Sequence, residues 1–472
     1  MFEPKVPATT PANSCVAPVA RAASLLHPLF MATFLDPENG YLGALTFDLG
    51  SDLIRAGFAG DDMPRALYPS TACFAGSEGN DEPLVLTDGD THLADATVAG
   101  LFARPLRRAH GEPVDDEVLK ALLSHGLRRL GETSWTEHPL LLSEPTGSSA
   151  ASRRQTAELV FEDLQAPALC VAHAAELICV SAGRPTSTVL ELNDDAATAS
   201  VVVDGALQAR SVTSSAQLGG QNLAHKFSQL ASPYTGIVTP SCLLRTTNLE
   251  CNPSYTEYRL TDLKREMCDA LCRCVDVAPK AVAKGGGRSR GGGRASIGTT
   301  AEPAPTEPSI YTLPDGRKIS VPDSEGTQAC EVLFNAARGG GGEVKAEATN
   351  VPAPTLQNIV VTAMERMEAD YHKELLRSVV VTGNVACLPG VPERLEHEVF
   401  VAAQNSKRES IKHQHHRLTI FIGTPRERRD GAWLGGSILG SLGSHHDLWM
   451  SKAEYEEYGA PLISRKAMQH AW

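Results

Sequence analysis

Residues Ala44–Phe58 read Ala-Leu-Thr-Phe-Asp-Leu-Gly-Ser-Asp-Leu-Ile-Arg-Ala-Gly-Phe. An apolar run, an acidic residue, a Gly-Ser turn and a second apolar run, in this order, predict a β-hairpin with a polar tip. A related pattern returns at Thr188–Asp195 and Ser200–Gly205, again as strand, acidic residues, turn and strand. Two such hairpins predict an α/β fold with a duplicated unit, in which one polar loop from each half faces a shared cleft.

Patterns elsewhere in the chain predict further elements of this α/β fold. Apolar residues at helical spacing predict helices over Asp115–Leu130, Ser152–Leu164 and Pro167–Ser181. The run Ser378–Asn384 is typical of a buried strand that ends in a glycine loop, and a Pro-Asp-Gly turn within Ile310–Val321 predicts another hairpin.

Length and composition exclude several classes of protein. The chain has 472 residues and a net charge of −13, from 43 basic and 56 acidic residues. Single cores rarely grow beyond about 250–300 residues, so we expect at least two folding units. The negative net charge argues against a protein whose whole surface binds nucleic acid. The sequence contains no run of about 18 apolar residues, so we predict no membrane span. Among the eleven cysteines, Cys268 and Cys272 share one helical face and are expected to be buried thiols rather than metal ligands.

Three segments differ in composition from the rest of the chain. We expect residues 1–40 to be a disordered N-terminal extension. Glycine-rich insertions at 284–295 and 338–343 are typical of flexible linkers. The first insertion is basic and free of acidic residues, which leaves a weak nucleic-acid contact as an alternative to a solvated loop.

Five segments of the chain resemble segments of actin, and they follow one another in the same order. They are Phe47–Arg65, Glu137–Glu144, Thr382–Gly390, Trp433–Leu439 and Leu448–Tyr455. The first resembles a phosphate loop, the third the adenosine loop, and the last two the C-terminal region of that family. The resemblance implies the actin/Hsp70/hexokinase-like fold, with two duplicated α/β halves around a nucleotide cleft, each carrying a smaller subdomain.

The resemblance also implies domain boundaries. The first half would cover 41–181 and include a divergent small subdomain at 71–103. The second half would cover 182–432 and include a small subdomain at 218–354, and 433–472 would return to the first half. Within the family the chain is most similar to the nuclear actin-related proteins of the fourth class. That similarity rests on Gly43–Leu45, Ser143–Glu144 and the run from Gln217 to Pro240.

The resemblance implies a site for ATP with magnesium. Its nucleotide-binding positions fall on Asp48, Gly50, Ser51, Arg55, Glu191, Asp194, Gly220, Lys264, Gly383, Asn384 and Arg429. Asp48 and Glu191, one from each phosphate loop, would hold the hydrated cation weakly through water molecules.

Several residues that the family needs for hydrolysis are replaced. Asp52 and Asp195 stand where actin has phosphate-loop glycines, and Arg265 stands in place of an acid on the adenosine side. Carboxylates this close to phosphate groups repel them. The two residues that position the attacking water are replaced by Ala174 and Thr198. We therefore predict that the protein is not an enzyme, and that its binding of ATP and magnesium is weak, structural or absent.

Without hydrolysis, the remaining function lies at the surface. In this family partner helices dock in an apolar cleft between the two larger subdomains, and the matching positions are Gly183, Leu439, Leu442 and Leu448. The resemblance implies a non-catalytic nuclear scaffold subunit of a chromatin-remodelling or histone acetyltransferase complex. Its partners would be actin and the helicase-SANT-associated helix of a remodeller or acetyltransferase scaffold. The alternative is a cytoplasmic, cytoskeletal actin-like ATPase or filament-associated protein.

Overall fold

The computed structural model describes residues 35–36, 40–41, 43–75, 84–85, 100–103, 114–132, 134–245, 253–275, 309–335, 354–442 and 447–467. Within the predicted N-terminal extension, Leu35–Asp36 pairs with Gly40–Tyr41 as a short hairpin, so the prediction of disorder is wrong for these residues. The rest of the extension and both glycine-rich insertions lie outside the described ranges. The predictions of disorder there, and of a nucleic-acid contact through the first insertion, therefore stay predictions.

The strands are β1 Leu35–Asp36, β2 Gly40–Tyr41, β3 Leu45–Leu49, β4 Leu53–Phe58, β5 Ala66–Pro69, β6 Ala72–Ala75, β7 Leu84–Val85, β8 Gly100–Ala103, β9 Leu140–Glu144, β10 Ala168–His173, β11 Ser187–Leu192, β12 Ala197–Val203, β13 Ala206–Leu207, β14 Thr213–Ser215, β15 Ser309–Thr312, β16 Lys318–Val321, β17 Val379–Thr382, β18 Ile420–Phe421 and β19 Met450–Ser451. The α-helices are α1 Asp116–Leu130, α2 Ala150–Glu158, α3 Ala174–Ala182, α4 Gly220–Thr235, α5 Ser241–Arg245, α6 Pro253–Leu271, α7 Asp323–Phe334, α8 Leu356–Glu365, α9 His372–Arg377, α10 Val391–Gln404, α11 Glu409–Lys412, α12 Pro425–Ser441, α13 Lys452–Tyr458 and α14 Pro461–Ala467.

Two sheets of the same topology form the centres of the two halves. The first has the strand order β19-β10-β9-β3-β4-β5, and the second has the order β13-β12-β11-β17-β18. In both, an antiparallel three-stranded meander is followed by two parallel strands. The predicted duplicated α/β architecture is confirmed, and β19 brings the C-terminal segment back to the first sheet.

The smaller sheets belong to the regions predicted as small subdomains. Strands β6, β7 and β8 form a three-stranded sheet within 71–103, and β15 pairs with β16 as the Pro-Asp-Gly turn predicted. One prediction is wrong, because the run Pro167–Ser181 is not a single helix but β10 followed by α3. Short apolar runs of small residues fit a buried strand and a buried helix equally well by periodicity alone.

Helices α3 and α12 lie between the two sheets and contact both. Leu177 of α3 and Leu439 of α12 pack with Leu141 of the first sheet. On the other side, Ile178 of α3 packs with Val189 of the second sheet. The halves are therefore joined by a shared apolar core as well as by the loops of the cleft. In the described part of the chain, no helix is long and apolar enough to cross a membrane.

The close packing of α12 against α3 depends on glycine. A Cβ atom placed on Gly435 would lie 1.8 Å from the carbonyl oxygen of Leu177, so any side chain forces the two backbones apart. Gly431, one turn earlier on the same helix, has only ordinary contacts, the nearest at 3.5 Å from Thr382 Oγ1. The alternation of small and apolar residues in the C-terminal segment thus serves a helix packed on a neighbouring backbone.

We predict that Gly435→Ala lowers the free energy of unfolding by about 1–3 kcal/mol or more, because it overpacks this junction. Gly431→Ala is the matched control on the same helix. It is expected to leave stability unchanged or raise it by up to about 1 kcal/mol through helix propensity. Thermal melting of both variants checks this, and equal melting temperatures would contradict the packing account.

Candidate functional site

The tips of the two hairpins meet at the centre of the molecule. Ser51 lies in the β3–β4 loop and its hydroxyl donates a hydrogen bond of 2.9 Å to Asp195 Oδ1 in the β11–β12 loop. Gly383 follows β17 beside them, with a φ of 103°. A Cβ there would lie 2.2 Å from the carbonyl oxygen of Leu192, so the backbone itself requires glycine at this position. The structure therefore brings together the two hairpin loops predicted to face one cleft and the loop after β17 that resembles the adenosine loop.

Asp48 and Arg55 are paired with protein groups inside this cleft. Asp48 Oδ1 accepts a hydrogen bond of 2.5 Å from Ser143 Oγ, and its Oδ2 lies 3.3 Å from Arg55 Nη1. Arg55 Nε also donates to Asp430 Oδ1 at 2.8 Å, and all of these side chains are buried. Arg55, one of the predicted nucleotide-binding residues, is thus held between two carboxylates.

Glu191, the second residue expected at a cation, is also buried. Its pKa is raised to about 7, mainly because burial disfavours the charged carboxylate, although a hydrogen bond from Thr146 Oγ1 at 2.5 Å lowers it. The nearby charges of Asp48 and Asp195 raise the pKa further. Among the residues that the structure describes, no group of three or more His, Cys, Asp or Glu side chains could hold a metal ion.

A second contact crosses the cleft, and no local sequence pattern predicts it. The guanidinium of Arg265 on α6 forms an ion pair with Asp52 in the β3–β4 loop. Asp52 is only 6% exposed, and Arg265 Nη2 also lies 3.8 Å from Asp262 Oδ1. Burial lowers the pKa of Arg265, but the charges of Asp52 and Asp262 raise it more. Arg265 replaces an acidic residue of the actin pattern, and Asp52 replaces a glycine. In this structure the two replacements are each other's counterions.

The adenosine side of the cleft remains open. A cavity of about 370 Å³ is lined by Asp194, Asp195, Ala216, Gln221, Asn222, Ala224, His225, Thr261, Asp262, Lys264 and Arg265. Gly220 begins α4 at its edge, where a Cβ would meet Val385 at 2.9 Å. On the phosphate side, the cavity lined by Asn384, Arg429 and the residues of both hairpin tips measures about 100 Å³. Ligand sites usually span about 300–1,000 Å³, so only the adenosine side is large enough for a ligand of that size.

The residues present do not fit a magnesium triphosphate. The space between the phosphate loops is small, crossed by Ser51–Asp195 and bordered by the Asp52–Arg265 pair. Its acidic side chains would repel phosphate oxygens at short range. We therefore derive no catalytic step through a nucleotide.

The positions of the water-positioning residues hold no replacement for them. Thr198 Oγ1 is hydrogen-bonded to Ser214 Oγ at 2.9 Å, and Ala174 carries no polar side chain. The neighbouring His173 is directed elsewhere, since its ring contacts Arg153 and its Nδ1 lies 3.1 Å from Glu144 Oε1.

Sequence comparison with known proteins identifies the family. The family model described as Actin matches residues 40–468. The chain belongs to the actin family. It is similar to Actin-related protein 4 of Oryza sativa subsp. indica, with 27% identity over 90% of this chain and 98% of that protein. Actin-related protein 4 of Arabidopsis thaliana is 28% identical with the same coverage, and that of Yarrowia lipolytica is 24% identical over 90% of this chain and 96% of that protein.

The partner-binding positions inferred from the actin family divide into two groups. Leu439 and Leu448 are 3% and 9% exposed and pack with Leu141 and Leu177, so in this structure they are core residues. Gly183 and Leu442 are exposed, and a partner contact at them stays a prediction. Ile438 was not among the predicted partner-binding residues, although its side chain is 41% exposed and lies one turn before Leu442, which is 39% exposed. The i, i+4 spacing of these two residues at the end of α12 was the available signal.

We predict that Glu191→Gln stabilises the protein at neutral pH by an amount on the order of 2 kcal/mol. The folded state holds the Glu191 proton up to about pH 7, whereas the unfolded chain releases it near the ordinary pKa of 4.5. Stability therefore falls as the pH rises through this window, and glutamine removes that loss.

Melting temperatures at pH 5 and pH 7.5 check this expectation. Glu191→Gln should differ from the wild type mainly at pH 7.5, while the exposed Glu396→Gln should differ at neither pH. A Glu191→Gln variant that is less stable at pH 7.5 would show that the ionised carboxylate is favourable in the folded cleft.

Proposed function

We propose that the protein is a non-catalytic nuclear actin-related protein, a scaffold subunit of a chromatin-remodelling or histone acetyltransferase complex that binds a partner helix and actin. The similarity to proteins named Actin-related protein 4, over nearly their whole length, supports the class. The observation that carries the non-catalytic part is the cleft, where protein side chains pair with one another across the phosphate side.

If the protein does not hydrolyse ATP, its function depends on binding partners, and we propose that it binds them at the surface between the two larger subdomains. Ile438 and Leu442 lie on one face at the end of α12, and the exposed Gly183 ends α3, the helix packed against α12. An exposed pair of large apolar side chains one helical turn apart suits the apolar face of an amphipathic helix. We propose that the partner helix binds at this docking patch, defined as Gly183, Ile438 and Leu442.

A cytoskeletal, cytoplasmic ATPase is the alternative, and it requires a cleft that binds and hydrolyses ATP. The paired arginines, the replaced water-positioning residues and the 100 Å³ space between the loops all argue against it. Binding of ATP with magnesium in the proposed protein is weak, structural or absent.

We predict that the tagged full chain recovers actin together with a Snf2-type ATPase or an acetyltransferase scaffold from nuclear extract. Ile438→Asp with Leu442→Asp should abolish recovery of the scaffold, because two charges would be buried against an apolar helix. Ile237→Asp is the matched control, since Ile237 is 85% exposed in the second half, away from the docking patch. Mass spectrometry of each pulldown provides the measurement.

Recovery of cytoskeletal proteins alone, or of polymers of the protein itself, would contradict the proposed role. Undiminished scaffold recovery by the double variant would contradict the docking patch while leaving the scaffold role in place.

A further inference from the structure

We propose that Asp52 and Asp195 take the place of nucleotide phosphates, so that the cleft is held closed by the protein's own side chains. The latch, as we name it, consists of Ser51, Asp52, Asp195 and Arg265. It concerns how the two halves are held together and does not depend on which partner the protein binds.

Both contacts of the latch join parts of the chain that are far apart in sequence. Ser51 and Asp195 are 144 positions apart and connect the two hairpin tips. Asp52 and Arg265 are 213 positions apart and connect the tip of the first hairpin to α6 of the second half. Opening the cleft would separate both pairs.

The chemistry of the latch is that of an anion bound between two lobes. In a phosphate-binding cleft, a hydroxyl of one loop and a cation of the facing lobe both meet the oxygens of a ligand anion. In this protein, carboxylates of the chain take the place of the ligand anion. Asp195 accepts a hydrogen bond from the Ser51 hydroxyl, and Asp52 accepts one from the Arg265 guanidinium. An incoming phosphate would have to displace both carboxylates and would still lie beside their charges.

The surroundings of the latch make the removal of one partner of its ion pair more costly than at a surface pair. The side chain of Asp52 is 8% exposed and that of Arg265 is 24% exposed. Removing one partner of such a pair leaves the other charge desolvated without a counterion, which is more costly than losing a solvated contact. Asp262, whose Oδ1 lies 3.8 Å from Arg265 Nη2, adds a second acid beside the guanidinium.

Three residues of the latch differ from the residues that the actin resemblance assigns to their positions, and all three can be changed back in one variant. The variant Asp52→Gly, Asp195→Gly, Arg265→Glu restores the residue types that the actin resemblance assigns to these positions. Melting temperatures of the full-length variant and wild type are measured with and without millimolar Mg-ATP. We expect no shift for the wild type. The variant should melt several degrees lower alone and rise on adding Mg-ATP, because a ligand that binds only the folded state stabilises it.

A wild-type shift equal to or larger than that of the variant would overturn the proposal. So would a variant that melts at the wild-type temperature without nucleotide, because its halves would then not need the latch.

If the triple variant does not fold, exchanging the charges of Asp52 and Arg265 tests the same ion pair. Asp52→Arg and Arg265→Asp should each lower the melting temperature, and the double variant should recover part of the loss. Arg259→Asp is the matched control, because Arg259 lies on the same helix and contacts Asp262 at 3.9 Å. Combined with Asp52→Arg it should give additive losses with no recovery. Equal recovery with either aspartate would show that only net charge matters, and no recovery with Arg265→Asp would show that the pair does not couple the halves.

Discussion

The carboxylates of Asp48, Asp52, Glu191 and Asp195 converge where the two halves meet, and their mutual repulsion must be compensated for the cleft to close. Asp48 is compensated by Arg55 and by the hydroxyl of Ser143. Asp52 is compensated by the guanidinium of Arg265, and Asp195 accepts a hydroxyl across the cleft. Glu191 is hydrogen-bonded to the side chains of Thr146 and Asn193, yet burial raises its pKa to about 7. Close opposite charges and hydrogen bonds replace what a cation and its nucleotide would otherwise supply.

This junction has a rigid apolar support. The close approach of α12 to α3 through Gly435 holds the C-terminal segment between the two sheets. Asp430 of α12 then reaches Arg55 of β4, so the same helix that joins the cores also fixes one side of the charge cluster. Packing and charge compensation thus act on the same pair of halves, and a molecule joined in this way can present a stable surface without a ligand.

Much of the fold follows from local sequence patterns. The hairpins around Asp48 and Glu191, the strand before Gly383 and the helix over Asp116–Leu130 can be predicted from apolar periodicity and turn residues. Cys268 and Cys272 are buried with their sulfur atoms 3.4 Å apart, as one helical face predicts. The strand Ala168–His173 was missed because its five buried residues, all small or apolar, carry no distinct period.

The site was less predictable than the fold, because its decisive contacts join distant parts of the chain. Considered by itself, Asp52 predicts only that a phosphate would be repelled. Considered by itself, Arg265 indicates only that an acidic residue of the actin pattern has been replaced. That they form a pair depends on the placement of α6 against the first hairpin, which no local pattern encodes. In the same way, Leu439 and Leu448 match surface positions of the family by alignment but belong to the core by packing.

The central claim is that the cleft is closed by the chain itself rather than by a nucleotide. Hydrogen–deuterium exchange of the full-length protein, with and without Mg-ATP, tests it most directly at the peptides covering 48–52 and 192–196. We predict slow exchange of these amides without nucleotide and no further protection when Mg-ATP is added. Fast exchange that becomes slow only with Mg-ATP would contradict the account, because the nucleotide would then be what holds the two halves together.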